Sequence, residues 1–176
     1  MKQMRQYIGI LAAAAAYYVV HEGAHLLCAV CLGTFRQIRF MGIGMQIDIY
    51  AEWMTDGQMA LFCVVGAVAT LFAGIMLAAL AGKMSHIKSK LLRAVMYYIT
   101  IAFLLLDPLY LSILCGFFGG GDMNGISLFF PEWMARIAFA GLLIINGWIF
   151  WKRVLPVYKE SFSNEHEIET TSQTLL

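Results

Sequence analysis

Four apolar runs dominate this chain, and each is long enough to cross a lipid bilayer as a helix. They are predicted at residues 7–32, 58–81, 92–118 and 133–151. A chain of 176 residues with four such runs has no room for a separate soluble domain of ordinary size. Only 13% of its residues are charged, and the mean hydropathy is +0.74. We therefore predict an all-α polytopic membrane protein whose function lies among its spans and their connections.

Basic residues beside the runs predict how the chain is oriented. If the N-terminus is cytoplasmic, nine of the twelve Lys and Arg residues lie on the cytoplasmic side, and only Arg36, Arg39 and Arg136 lie outside. We therefore expect both termini in the cytoplasm, with outer loops at about residues 33–57 and 119–132. The charges form no basic patch, so nucleic acid is not an expected partner. The apolar runs make the lipid bilayer an expected partner.

The first outer loop carries the pattern of a β-strand. Apolar and polar residues alternate from Ile43 to Ile49, which is the period of two that a strand shows. Ile38 and Phe40 can provide a partner strand. The pattern predicts a short membrane-associated β-hairpin after the first span, with an unpaired amphipathic loop as the alternative.

Composition also predicts where the membrane-embedded core ends. Residues 1–153 are expected to form this core, whereas residues 154–176 are polar and acidic and are expected to be a disordered tail. Within the core, the small residues between Gly66 and Gly74 predict close helix packing. Pro108 is expected to break or kink the third span, because proline removes a backbone donor.

The segment from His21 to His25 reads HEGAH and puts three ionisable residues inside the first span. Residues four apart lie on nearly the same face of a helix, so both imidazoles can bind one Zn²⁺. Glu22 can then reach a water on the metal and act as general base. Ionisable residues within a span usually mark a functional site. The alternative is a pair of buried histidines that form hydrogen bonds within the helix bundle.

A catalytic zinc site needs a third protein ligand, and two aspartates are candidates. Asp107 lies about 20 Å along its helix from the inner end, at the same depth as His21. Asp122 follows three consecutive glycines, where the chain can unwind or re-enter and carry the carboxylate back towards the metal. The residues alone leave both aspartates open.

The chain resembles the site-2 protease class of intramembrane zinc metalloproteases, and in particular its small bacterial branch. The resemblance covers roughly residues 8–150 and rests on HEGAH, the strand-like segment 38–49, the small-residue motif 66–70 and the GGDMNG segment 120–125. It implies a multi-pass protein of a bacterial cell membrane with Asp122 as the third ligand. Thr70 stands where the family usually has asparagine, which weakens or relocates any contact of that amide with the substrate.

The function implied is hydrolysis of a peptide bond in or near a transmembrane segment, with Zn²⁺ as cofactor and Glu22 as catalytic residue. The expected substrate is a membrane-spanning or membrane-associated protein or peptide. The alternative is a noncatalytic protease-like membrane protein that binds or regulates a membrane partner. A metal transporter is disfavoured, because beyond Asp107 the spans offer little of a polar path.

Overall fold

The protein is a bundle of four apolar helices with one small hairpin. The computed structural model describes residues 2–41, 44–119 and 121–163. The helices long and apolar enough to cross a membrane are Gln3–Cys31, Asp56–Ala79, Lys90–Phe118 and Glu132–Ser163. A two-stranded antiparallel hairpin follows the first of them. The predicted fold class is therefore confirmed.

The first helix, α1 (Lys2–Cys31), leads directly into the hairpin. It ends in a Schellman motif, because Gly33 has a φ of 69° and the backbone N–H of Thr34 donates to the carbonyl of Ala29 at 2.9 Å. Strands β1 (Phe35–Met41) and β2 (Gly44–Ile49) then pair with Ile38 opposite Ile47. The side chain of Ile47 is 4% exposed, so the hairpin packs onto the helices through this strand.

Short connections join the remaining elements, and two of the long helices begin with a side-chain cap. A capping box between Thr55 and Gln58 begins α2. The side chain of Ser89 caps the start of α4, which passes into a π-helical segment. The elements are a 3₁₀ turn (Ala51–Trp53), α2 (Asp56–Ala79), α3 (Ala81–Ser85), α4 (Lys90–Leu109), a π-helical segment (Tyr110–Leu114), α5 (Cys115–Phe118), α6 (Asp122–Ile126), α7 (Glu132–Ile149) and a second π-helical segment (Phe150–Val154).

Helices α1, α2 and α4 pack against one another and form the centre of the bundle, with α7 against α4. The α2–α4 contact is close at Gly74, where an added Cβ would lie 3.0 Å from backbone atoms of Phe103 and Leu104. This is the close approach that the small residues of α2 predicted.

Pro108 was expected to break or kink the third span, and of these two outcomes the break does not occur. The helix continues through Leu109 and into the π-helical segment. Proline has no N–H, which deprives the carbonyl of Leu104, four residues earlier, of its usual partner. The side-chain amide of Asn146 on α7 donates to this carbonyl at 2.9 Å. A side chain from a neighbouring helix therefore replaces the missing bond and allows the helix to continue.

The last helix extends beyond the predicted end of the core. Residues 155–163 are helical, so the expectation of disorder from residue 154 is wrong for this part. Val154 and Tyr158 lie four residues apart, are both buried and pack with Leu104. The apolar face thus continues past the Lys152–Arg153 pair, which does not end the helix. The rest of the predicted tail, residues 164–176, lies outside the described residues.

Candidate metal centre

His21 and His25 occupy neighbouring turns of α1 and point towards α2. Their side chains are buried, and their Nε2 atoms lie 3.1 Å apart. The backbone of α2 passes close by at Gly66, where an added Cβ would lie 2.6 Å from His25 Nε2 and 2.7 Å from His21 Nε2. Only a residue without a side chain leaves room for the two rings at this position.

Asp122 reaches the two histidines from a separate segment, between the third and fourth spans. The chain leaves α5 through Gly119 and Gly121, which have φ values of 91° and 42° in the left-handed region that glycine tolerates. It then begins α6 with Asp122, whose Oδ2 lies 3.2 Å from His21 Nε2 and 3.6 Å from His25 Nε2. Helix α6 packs on α2, which holds the carboxylate beside the rings.

These three ligand atoms have the spacing of a tetrahedral zinc site. Zinc bonds to nitrogen and oxygen of about 2.0–2.1 Å place the ligand atoms of a tetrahedron about 3.3–3.4 Å apart. The three distances are 3.1, 3.2 and 3.6 Å. His21, His25 and Asp122 are also the described residues that together could hold a metal ion. The residues present could therefore hold a metal ion.

A polar group lies beside the outer nitrogen of each ring. His25 Nδ1 lies 2.7 Å from the carbonyl oxygen of Phe62, which can only accept, so Nδ1 carries the proton and donates it. The Nε2 lone pair then faces the centre. His21 Nδ1 lies 3.3 Å from Asp107 Oδ1, but the two groups are not aligned for a regular hydrogen bond.

Asp107 lies behind His21 and not beside the Nε2 atoms. Its side chain is buried, its Oδ1 accepts a hydrogen bond from Tyr17 at 2.6 Å, and its Oδ2 accepts one from Thr70. The ring of Tyr17 also stacks on His21, with centroids 5.1 Å apart. Of the two aspartates left open by the sequence, Asp122 thus faces the centre, and Asp107 is placed to orient a ligand.

A proton could in principle take the place of the metal. A protonated His21 lies between Asp107 and Asp122 and could pair with both carboxylates. However, one proton on His21 Nε2 can be donated to Asp122 or to His25 but not fully to both, whereas a cation satisfies all three ligand atoms together. The three-way convergence therefore favours a metal.

The pKa of the Asp122 carboxyl favours its ionised form. Burial raises the pKa of its carboxyl, but contacts with the rings of His21 and His25 outweigh burial and lower the pKa to about 2. A carboxylate, not a carboxylic acid, is therefore present at neutral pH, which is the form that binds a metal.

Glu22 lies on the side of α1 that faces the hairpin. Its side chain is half-buried and close enough to interact electrostatically with His21, His25 and Asp122. The carboxylate also lies near the backbone of Ile47 on β2. The residue predicted as general base is thus close both to the three candidate ligands and to the strand.

The sequence did not indicate every residue that shapes this centre. Gly66 was assigned to helix packing, and its contact with the two imidazoles follows only from the approach of α2 to α1. Tyr17 stands one helical turn before His21, and this spacing could have suggested a contact. Thr70, which was compared with a family asparagine, instead donates to Asp107.

Comparisons with protein-family models, with curated proteins and with solved structures found no match for this chain. Its chemistry is therefore inferred from the residues of the centre themselves.

Proposed function

We propose that the protein is an intramembrane zinc metalloprotease that hydrolyses a peptide bond in or near a transmembrane segment of a substrate protein or peptide. The observation that supports this most is the convergence of His21 Nε2, His25 Nε2 and Asp122 Oδ2 within 3.6 Å of one another. The HEGAH motif and its resemblance to the site-2 protease class point the same way.

Each residue of the centre has a role in this proposal. His21, His25 and Asp122 hold the metal, and Asp107 orients His21. Zinc held by these residues would lower the pKa of a bound water towards neutrality and would polarise the carbonyl of the scissile bond. Glu22 accepts the proton of the attacking water and later donates it to the leaving amine.

The substrate has to be extended when it reaches the centre. A helical segment hides its carbonyl groups in its own hydrogen bonds, so it must unwind before attack. Strand β2 is an extended element close to this centre, since the backbone of Ile47 lies near Glu22. We propose that an unwound segment lies along this strand, as extended peptides do when they add to a sheet edge.

Metal analysis of the purified protein tests the proposal. The wild type is expected to contain about one zinc ion per chain, and His21→Ala and Asp122→Ala are expected to lose it. Asp107→Ala is expected to retain zinc with about 10–100-fold weaker affinity, as for other residues that orient a ligand. A wild type without stoichiometric metal would rule out the metalloprotease.

Glu22→Gln separates catalysis from binding. This variant is expected to keep its zinc and to lose cleavage of an unfolded probe protein in detergent, because glutamine cannot accept the proton. Zinc-dependent cleavage that survives Glu22→Gln would contradict the assigned base. Zinc binding without cleavage, together with an intact cellular phenotype of Glu22→Gln, would instead favour the noncatalytic alternative.

A further inference from the structure

One phenol holds the loop that leads to Asp122. Tyr110, the first residue of the π-helical segment, donates a hydrogen bond from its hydroxyl to the carbonyl of Gly119 at 2.7 Å. Gly119 directly follows α5, so this bond ties the end of the third span back to a point two turns earlier. The loop therefore has a side-chain anchor as well as its chain connections.

The same hydroxyl also meets the residue that precedes Asp122. An added Cβ at Gly121 would lie 2.9 Å from the Tyr110 oxygen, and the next nearest atom of this ring would be 3.8 Å away. The φ of Gly121 is 42°, which also favours glycine. The phenol oxygen of Tyr110 therefore lies so close to Gly121 that a side chain at residue 121 would collide with it.

Asp122 depends on this anchor because its own helix is short. Helix α6 has five residues, and an isolated helix of that length has no stability of its own in water. Its contact with α2 fixes the far end, where Gly125 lies against Cys63. The near end, at which Asp122 leaves the loop, is held through Gly119 and Gly121.

Tyr110 also links the two carboxylates of the centre. It follows Asp107 by three residues on the same helical stretch, so one turn carries both side chains. Asp107 reaches His21 Nδ1 from this turn, while Tyr110 holds the loop that brings Asp122 to His21 Nε2.

We propose that Tyr110 is the positioning residue for the third metal ligand, and that its hydroxyl fixes Asp122 through its bond to Gly119 and its contact with Gly121. This inference rests on the proposed metal site. Tyr110 is assigned no contact with the metal or the substrate, so its effect is on the geometry of the site and on metal affinity.

The first test uses Tyr110→Phe, which keeps the ring and removes only the hydroxyl. Tyr158→Phe is the matched control, because Tyr158 is buried at the far end of the bundle and its hydroxyl has no hydrogen-bond partner among the described residues. Co²⁺ replaces zinc as the probe, since its visible spectrum reports the coordination geometry. Tyr110→Phe is expected to bind Co²⁺ about 10–100-fold more weakly and with an altered spectrum, and Tyr158→Phe to match the wild type.

The second test needs no metal. Backbone hydrogen exchange over residues 121–126 of the metal-free protein is expected to be faster in Tyr110→Phe and unchanged in Tyr158→Phe. If the Co²⁺ affinity, the spectrum and the exchange of Tyr110→Phe all equal those of the control, the inference is overturned while the metal site stands. If the wild type binds no metal, the proposed function fails, and the role of Tyr110 towards a ligand fails with it.

A third variant checks that the phenol oxygen is the point of contact. Gly121→Ala is expected to weaken Co²⁺ binding strongly in the wild type and by a smaller factor in the Tyr110→Phe background, where the oxygen is gone. Equal factors in the two backgrounds would show that Tyr110 and Gly121 act independently, which contradicts the proposed contact.

Discussion

At Gly66, the backbone of α2 approaches the imidazoles of α1 so closely that no side chain can stand between them. The nearest ring atoms would be 2.6–2.8 Å from a Cβ at this position. Both rings are already held on their outer sides, His25 by the carbonyl of Phe62 and His21 beside Asp107. They cannot withdraw without losing those contacts, so a methyl group must disturb the centre.

We therefore expect Gly66→Ala to lower bound zinc at least about tenfold, because it displaces the Nε2 atoms from a shared position. Gly141→Ala is the control, since an added Cβ there has no atom within 4 Å and alanine favours a helix. Metal content per chain, measured for folded protein, checks the expectation. Equal zinc in the two variants would mean that Gly66 does not limit the site.

Thr70 has a different role, because it donates a hydrogen bond to a buried carboxyl group. Its hydroxyl donates to Asp107, which is 1% exposed, and also lies 3.0 Å from the carbonyl of Ala67. Thr70→Val keeps the shape and removes the donor. We expect the free energy of unfolding in detergent to fall by about 1–3 kcal/mol, as for other buried groups that lose a partner.

Thr100→Val is a suitable comparison, because among the described residues the hydroxyl of Thr100 bonds within α4, to the carbonyl of Met96. If the free energy of unfolding falls no more for Thr70→Val than for Thr100→Val, the bond to Asp107 contributes little to stability.

Local spacing explains which site residues could be predicted. His21, Glu22 and His25 share one helix, so their relation follows from the helical repeat alone. Asp107 was rightly placed at the depth of His21, but depth does not determine which ring nitrogen a carboxylate faces. That choice depends on how α4 and the Gly119–Gly121 loop pack, and Gly66 likewise matters only through packing.

The third spanning helix shows how one element depends on another. Its continuation past Pro108 depends on an amide from α7, which is 42 residues away from the carbonyl that it satisfies. Sequence reasoning assigned this span from its apolar length and expected Pro108 to break or kink it. The long-range partner, Asn146, was hidden inside the fourth apolar run, where a single amide carries no distinctive pattern.

This dependence can be measured with a double-mutant cycle. Asn146→Leu leaves the Leu104 carbonyl without its donor, and we expect the free energy of unfolding to fall by about 1–3 kcal/mol. In a Pro108→Ala background, the new N–H of residue 108 can bond to Leu104, so Asn146→Leu should have a much smaller effect. If Asn146→Leu lowers the free energy of unfolding equally in both backgrounds, Asn146 does not replace the hydrogen bond that Pro108 removes.

At the scale of the molecule, the four spans bring distant residues to one level of the bundle. His21 and His25 come from the first span, Gly66 from the second and Asp107 from the third, while Asp122 arrives from the segment before the fourth. Hydropathy was sufficient to predict the number and the order of spans, and alternation was sufficient for the hairpin. The end of the last helix could not be predicted in this way, because its apolar face continues beyond the pair Lys152 and Arg153.

Orientation is the main prediction at this scale. Because basic residues favour the cytoplasmic side, reporters fused at both termini are expected to be cytoplasmic, and one inserted between β1 and β2 is expected outside. The metal centre then opens towards the outer half of the membrane, since His21 lies closer to the hairpin end of α1. The opposite reporter pattern would place the centre towards the cytoplasm.

The central claim is that one zinc ion is held by two imidazoles and one carboxylate. X-ray absorption at the zinc edge of the purified protein measures this directly, because it reports the kind and distance of the ligand atoms. We predict nitrogen and oxygen neighbours at about 2.0–2.1 Å, the scattering pattern of two imidazoles, and the loss of one oxygen neighbour in Asp122→Ala. Sulfur neighbours at about 2.3 Å, or a signal that Asp122→Ala leaves unchanged, would contradict it.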